Sequence, residues 1–478
     1  MVNTGDGLVL ALDQGSHASR GVLFDSTGTQ VAEAHVAVAT ARDGPVRVEQ
    51  DPEELVGSIR SAIEDVLDSR PGVGLVAAGL ATQRSTVVAW SRRSGRALHT
   101  AISWQDRRAA GWLERLAPVA GQVREITGLP LSPHYGASKL RWYLEHVPAV
   151  QQAASDRELA LGPLSSFLAL RLTEERPCVA DPANAARTLL FDPATQDWSP
   201  QLLHLFELEP AWLPQCVPTR HPFGHIACAG LRVPFTACTG DQSAAAFAFG
   251  PPDPATALLN VGTGAFIQRA IPVGTPLPRG ILRSVLCVDA DGVIASHEGT
   301  VNGAGSALDW LRERVALDVD RGLAALATQP PLEGNVPVFV NGVGGLGAPF
   351  WLADFPCEFV GDGDEGARLA AVIESVAFLI CANLEALQSA ARLQRIRISG
   401  GLARNDYLCR CIAAASRLPV ERPALVEATA RGIAWLAAGK PSAWRPVPVE
   451  QVFTPFPAPA LEARHARWRS AMAQRGAE

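Results

Sequence analysis

The chain has 478 residues, 47% of them hydrophobic and 19% charged, with a formal net charge of −6. That length accommodates two or three domains with ample core, and the acidic balance gives no reason to expect nucleic acid or an anionic membrane as partner. Basic residues are nearly all arginine; Lys139 and Lys440 are the only lysines. Neither sits in the Gly-Lys-Ser/Thr setting of a Walker-type phosphate loop, so that class of nucleotide enzyme is excluded.

From the N-terminus, MVNTGDG lacks the charged and apolar regions of a signal peptide, and a cytoplasmic location is expected. Leu8–Asp25 then reads as strand, Gly-containing turn and strand. Asp51-Pro52-Glu53-Glu54 starts a helix, with Asp at the N-cap and Pro at N1, and an apolar face follows through Ser69. Gly72–Ala81 and Val87–Trp90 read as strands, and 105–180 as mostly helical, including Ala137–His146 and Leu164–Leu172. A Pro-rich, turn-rich passage covers 210–234. The strand Phe235–Cys238 leads through Thr239-Gly240-Asp241-Gln242 into a small-residue helix over Ser243–Phe249. Pro251-Pro252-Asp253-Pro254 reads as a linker.

The second half repeats the opening pattern as ALLNVGTGAFIQRAI, Ala257–Ile271, about half the chain after the first copy. Helices follow at about 304–316, 365–393, 406–417 and 427–438, with glycine-rich loops at Asn341–Pro349 and Ser399–Leu402. Leu369–Leu387 comes closest to a membrane span but carries Glu374, Asn383 and Glu385, so no membrane partner is expected. The tail, 461–475, reads as a polar helix packed on the surface. The nine cysteines show no CxxC pair and read as reduced structural thiols. Two halves of mixed strands and helices argue for an α/β class, divided at 1–250 and 251–478.

The chemistry concentrates at the two hairpin turns and at Asp241. Glycine admits close approach of a ligand, and turn amides with nearby hydroxyls suit phosphate oxygens. Asp241 ends a strand at a Gly turn and starts a helix, which suits either a helix cap or a general base at a cleft edge. Asp13 ends the first strand, where it suits a turn cap or a divalent cation.

Eight stretches in order, ALDQGSHASR, TQRSTVVAW, AISWQDRR, TGDQSAA, NVGTGAF, AGSALDWL, GLGAPFW and SGGLARN, span roughly residues 8–440. Together they resemble the FGGY carbohydrate kinase family, most closely its glycerol kinase branch. The resemblance implies a two-domain actin-like ATPase (ribonuclease H-like) fold, with duplicated mixed five-stranded sheets around a central cleft. It implies an ATP- and Mg2+-dependent kinase acting on a primary hydroxyl of a small polyol or sugar.

By that resemblance Asp241 is the base and Asp13 and Asp241 hold the metal. Gly15, Ser16, His17 and Arg20, with Gly262, Thr263 and Gly264, face the phosphates. Gly305, Asp309, Gly400, Gly401 and Asn405 line the adenosine pocket. Arg84, Ser85, Trp104, His134, Asp241, Gln242 and Phe266 hold the acceptor, and a homo-oligomer is left open. Ser85 stands where glycerol kinases carry Glu, and His134 where they carry Tyr; both fall at acceptor contacts and argue against glycerol. His17 replaces a Thr, either substituting for its hydroxyl or marking a weakened ATP site. The competing readings are a pentulose or hexulose kinase and a nucleotide-binding regulatory member without transfer activity.

Overall fold

A computed structural model of the chain describes residues 7–477 apart from 229, 273, 317, 389–391 and 425–426. It divides into two compact units. One comprises Met1–Pro251, Ser284–Ala295 and Glu427–Pro446; the other comprises Pro252–Arg283, Ser296–Val426 and Val447–Glu478.

In the first unit the apolar run Leu8–Gln14 pairs antiparallel with Ala18–Phe24 and parallel with Leu75–Thr82. Leu75–Thr82 pairs parallel with Leu231–Gly240, and that strand antiparallel with Arg220–Cys228. Gln30–Ala37 closes the other edge of this six-stranded mixed sheet. The central strands are buried on both faces, so they read as continuous apolar runs. Leu10, Leu12 and Leu80 pack with the helices Pro52–Asp68 and Leu164–Leu172. The first of these helices is capped as its sequence dictates, Asp51 Oδ1 accepting the Glu53 amide at 2.9 Å. On the alternate side chains, Gly79 meets Ile433 of the helix Ala428–Ala437; a Cβ there would lie 2.8 Å from Ile433 Cγ1.

The second unit repeats the pairing. Thr256–Val261 forms a hairpin with Ala265–Ile271 and runs parallel to Arg395–Ser399. Arg395–Ser399 is parallel to Val420–Pro423, which is antiparallel to Val449–Phe453. Leu282–Asp289 and Gly292–Val301 bring this sheet to seven strands. Each sheet is therefore a hairpin, two parallel strands and an antiparallel edge. That is the predicted α/β class with duplicated mixed sheets, although the sheets carry six and seven strands, not five. The helix Glu365–Gln388 is long and apolar enough to cross a membrane, but 83% of its apolar window is buried in the protein core.

Four sequence expectations are revised. The turn-rich passage contains the strand Arg220–Cys228. Its prolines are tolerated because Pro222 lies on an edge strand at a register shift next to Gly224, which has φ 118°. Pro234 precedes Phe235, where the parallel pairing begins. The helix expected over Ser243–Phe249 begins earlier and is shorter, Asp241–Ala245. A helix over Val319–Ala327, capped by Asp318, was not expected. The C-terminal helix Pro459–Ala473 is no surface appendage: Leu461, Arg464, Trp468 and Met472 are buried, and Arg464 Nε lies 2.6 Å from buried Glu374 Oε2.

Candidate functional site

Asp13 and Arg20 are cross-strand partners in the first hairpin, which places Arg20 Nη1 2.9 Å from Asp13 Oδ2. Across the sheet Asp13 aligns with Ala81, and Ala81 with Thr239. Asp13 and the turn Gly240-Asp241 therefore share the C-terminal edge of the parallel strands, where α/β sheets bind ligands. Asp13 is 5% exposed, and burial pushes its pKa up from 3.8 to about 7. Arg20 opposes that shift, whereas the negative charges of Asp241 and Glu427 add to it. Glu427, which also lies 3.7 Å from Arg20 Nε, was missed in the sequence; its only signal there is its place at the start of a helix.

Asp241 is not the helix cap: Gly240 occupies that position and Asp241 is the first helical residue. Its Oδ1 accepts the Gln242 amide at 2.7 Å and lies 3.8 Å from Arg84 Nε, and its side chain is one-third exposed. Arg84 donates from Nη2 to Gln242 Oε1. This packing needs a glycine at 240, where a Cβ would stand 2.5 Å from Arg84 Cγ. The next residue, Ser85, adopts a left-handed φ of 66° and is 9% exposed. Arg84, Ser85, Asp241 and Gln242 are thus brought together, close to Asp13 and Arg20.

Ser16 does something the sequence did not indicate. Its hydroxyl accepts from Trp104 Nε1 at 2.9 Å and donates to Gln83 Oε1 at 3.3 Å. Gln83 Nε2 donates to Gln14 Oε1 and Gln50 Oε1, at 3.0 and 2.8 Å. Gln50 Nε2 and Thr40 Oγ1 both donate to the Ser16 carbonyl at 3.0 Å. The first turn is thereby tied directly to Trp104 and is braced by the linked side chains of Gln14, Gln50 and Gln83. The Gly15 amide closes its own hairpin on Ala18 O at 2.9 Å, and His17 is exposed, its carbonyl accepting the Val38 amide at 2.9 Å. His134 Nδ1 lies 3.3 Å from Trp104 O. Partial enclosure of its ring, with Lys139 and Arg107 nearby, lowers the His134 pKa.

In the second unit the Gly262 amide closes the second turn on Gly264 O at 2.8 Å. The helix Gly305–Arg312 docks its N-terminus on that turn: Gly305 N donates to Gly262 O, and Ala304 N and Ser306 N donate to Thr263 O, at 2.9, 3.2 and 3.0 Å. A Cβ at Gly305 would lie 2.8 Å from Gly262 O, so this glycine serves the docking itself. Gly400, with φ 94°, packs likewise on Val261, whereas a Cβ at Gly401 would meet open space. Next to these turns an apolar pocket of about 250 Å³ of empty space, partly open to solvent, is lined by Ala304, Leu308, Leu323, Ile373, Val376, Leu402, Asn405 and Leu408.

Asn405 is the one predicted adenosine residue that lines this pocket; its side chain also caps the helix Asp406–Ser416 by accepting the Leu408 amide at 3.0 Å. Asp309 instead pairs with Arg312 at 2.5 Å and is 65% exposed. The lining leucines were missed because a sequence gives a pocket wall the same apolar signal as core. Phe266 lies on the strand Ala265–Ile271 of this unit and is 39% exposed.

Comparison with known proteins identifies the family. Residues 8–248 match the N-terminal domain of the FGGY family of carbohydrate kinases, and residues 260–439 match its C-terminal domain. The chain is 34% identical to a glycerol kinase from Symbiobacterium thermophilum, covering 98% of both chains. It is 36% identical to one from Thermus brockianus, covering 97% of both. The fold superposes on a crystal structure of Plasmodium falciparum glycerol kinase with ADP at a TM-score of 0.89, 23% identity and 99% coverage of each chain. A xylulose kinase from Rhodospirillum rubrum superposes at 0.85, with 23% identity and 98% coverage of each. A duplicated hairpin sheet, a carboxylate at the edge of its parallel strands and full-length kinase relatives lead to one conclusion: the chain belongs to the FGGY family of carbohydrate kinases, phosphotransferases with an alcohol group as acceptor.

Proposed function

We propose that this chain transfers the γ-phosphoryl group of ATP to a primary hydroxyl of a small polyol or ketose, through an acceptor site altered from that of glycerol kinases. The observation that carries the reading is the carboxylate of Asp241, held beside Arg84 and Gln242 at the edge of the parallel strands. Asp241 takes the hydroxyl proton as the oxygen attacks phosphorus. Arg84 and Gln242 hold neighbouring hydroxyls, and Trp104 and Phe266 pack on the carbon chain. Arg20, Ser16, His17, Gly15 and the turn Gly262-Thr263-Gly264 belong to the phosphates. The apolar pocket at Leu308, Leu402 and Asn405 takes the nucleobase, with the Gly400-Gly401 turn and Gly305 shaping its approach. Dependence on ATP fits a cytoplasmic enzyme.

Asp13 and Asp241 are the residues that would hold Mg2+, which neutralises phosphate charge when bound. A hard cation fits them, because Asp13 is a buried carboxylate whose ionisation the neighbouring carboxylates oppose. Among the described residues no group of three His, Cys, Asp or Glu side chains forms a metal cage. Phosphate oxygens would therefore complete the coordination.

Ser85 favours a larger acceptor than glycerol, since it replaces a carboxylate that would accept hydrogen bonds from the hydroxyls and leaves room. ADP release against glycerol, dihydroxyacetone, erythrulose, D-ribulose, D-xylulose and D-fructose tests the proposal. At least one compound should be turned over, and Asp241→Asn should lose ~100-fold or more of kcat. Glycerol should be a poor acceptor, improved ~10-fold by Ser85→Glu through a charge-assisted hydrogen bond. ATP binding without turnover of any acceptor would instead favour a regulatory member, and unchanged turnover in Asp241→Asn would remove the base assignment.

A further inference from the structure

One buried cation is not used by the chemistry above. Lys139, on the helix Gly136–His146, is 1% exposed and makes no ion pair among the described residues. Its ammonium donates to three carbonyls: His134 O at 2.7 Å, Ser103 O at 2.8 Å and Ser85 O at 3.3 Å. An ammonium has three N–H donors, so these carbonyls match its full donor set. Burying a charge without a carboxylate is costly unless its hydrogen bonds are satisfied, as they are here by these three carbonyls.

What these three carbonyls share is their position. Ser85 follows Arg84 and is itself an acceptor residue; Ser103 precedes Trp104; His134 is the third acceptor segment. Three stretches far apart in sequence, each carrying residues assigned to the acceptor, converge on one nitrogen. The tie to Ser85 also falls on the residue with left-handed backbone, the one most in need of an external hold. We infer that Lys139 is a positioning residue for the acceptor site, which sets the mutual geometry of Arg84, Trp104 and His134 through their backbones. This rests on the assignment of those residues to the acceptor. Burial lowers the Lys139 pKa from 10.5 to about 7, Asp106 opposing and Arg108 adding to the shift.

The test is steady-state kinetics of Lys139→Met, with whichever of glycerol, dihydroxyacetone, D-ribulose and D-xylulose the wild type turns over fastest. The KM for that acceptor should rise ~10- to 100-fold, because a small misplacement of binding groups is enough. The KM for ATP should stay within about twofold, a split that general destabilisation does not produce. Leu140→Ala, a cavity in the same helix, provides the comparison: it should lower thermal stability and leave the acceptor KM unchanged. If Lys139→Met is not recovered folded, Lys139→Gln, which keeps an NH2 donor, should show a smaller rise of the same kind. A folded variant with unchanged acceptor KM, or one in which both KM values rise together, overturns the inference. If the wild type turns over no acceptor, the proposed function itself fails, which is a distinguishable result.

Discussion

Asp13 shows how one residue's environment couples function to stability. Its carboxyl is buried at the end of a strand, with one arginine beside it and two further carboxylates nearby. Its folded pKa, about 7, lies above the ordinary value of 3.8. Between those values the folded chain holds a proton that the unfolded chain has released, so stability falls as pH rises through that window. A shift of this size corresponds to an upper bound of ~4 kcal/mol, reduced by whatever Arg20 loses without its partner. Asp13→Asn should therefore stabilise the ligand-free protein at pH 8 by ~1–3 kcal/mol, and by much less at pH 5, while abolishing turnover. Urea unfolding at the two pH values measures this. A variant no more stable than wild type at pH 8 would show that ionising Asp13 carries no penalty. At this scale Asp13 and Asp241 stood out as carboxylates at strand ends, each with a capping role as its alternative. Arg84 was named only through the family resemblance; that it packs beside Asp241 is seen in the fold. Gln50, Lys139 and Glu427 did not stand out, since a polar residue in or beside a helical pattern has the sequence signal of a solvated face.

Among the elements, the C-terminal helix departs furthest from its sequence pattern. Its composition is polar, yet Leu461, Arg464, Trp468 and Met472 recur at helical spacing on a buried side. Arg464 makes two hydrogen bonds to Glu374, at 2.6 and 2.7 Å, and Tyr407 donates its hydroxyl to the same carboxylate at 2.7 Å. An arginine that is paired and enclosed thus belongs to the apolar stripe, which no count of charged residues reveals. Removing one partner leaves the other charge buried, so Arg464→Ala should cost ~3–5 kcal/mol in urea unfolding. A loss below ~1 kcal/mol would place the pair in the class of exposed ion pairs. The helix start at Asp51 was far easier to read, since a cap acts on its nearest neighbours in sequence. The strand Arg220–Cys228 was hidden by Pro222, which an edge position permits.

For the whole molecule, the duplication was visible in the two hairpin sequences, and the two sheets share their order of pairing. The composition of the first unit was not visible. Glu427–Pro446 belongs to it although almost the whole second unit intervenes. Within that segment the helix Ala428–Ala437 comes so close to the Asp241 helix that a Cβ on Gly432 would lie 1.8 Å from Ala244 O. Such a return has no local signal, because it is decided by complementary surfaces and not by neighbours in the chain. Residues 1–251 expressed alone should expose the apolar face that Ile433 covers, and should bind a hydrophobic dye without a cooperative thermal transition. A sharp transition in that fragment would show the returning helix to be dispensable.

The same return bears on how the protein is made. The ribosome delivers Asp241 and its strand long before the helix that backs them. At ordinary rates of synthesis the interval is roughly ten to forty seconds. During that time the nascent chain has a nearly complete first sheet with one face uncovered, and Asp241 stands on a short helix without its support. A working phosphotransferase is thus expected only once Glu427–Pro446 has emerged, and the apolar face stays uncovered while the stretch between Pro251 and that segment is being made.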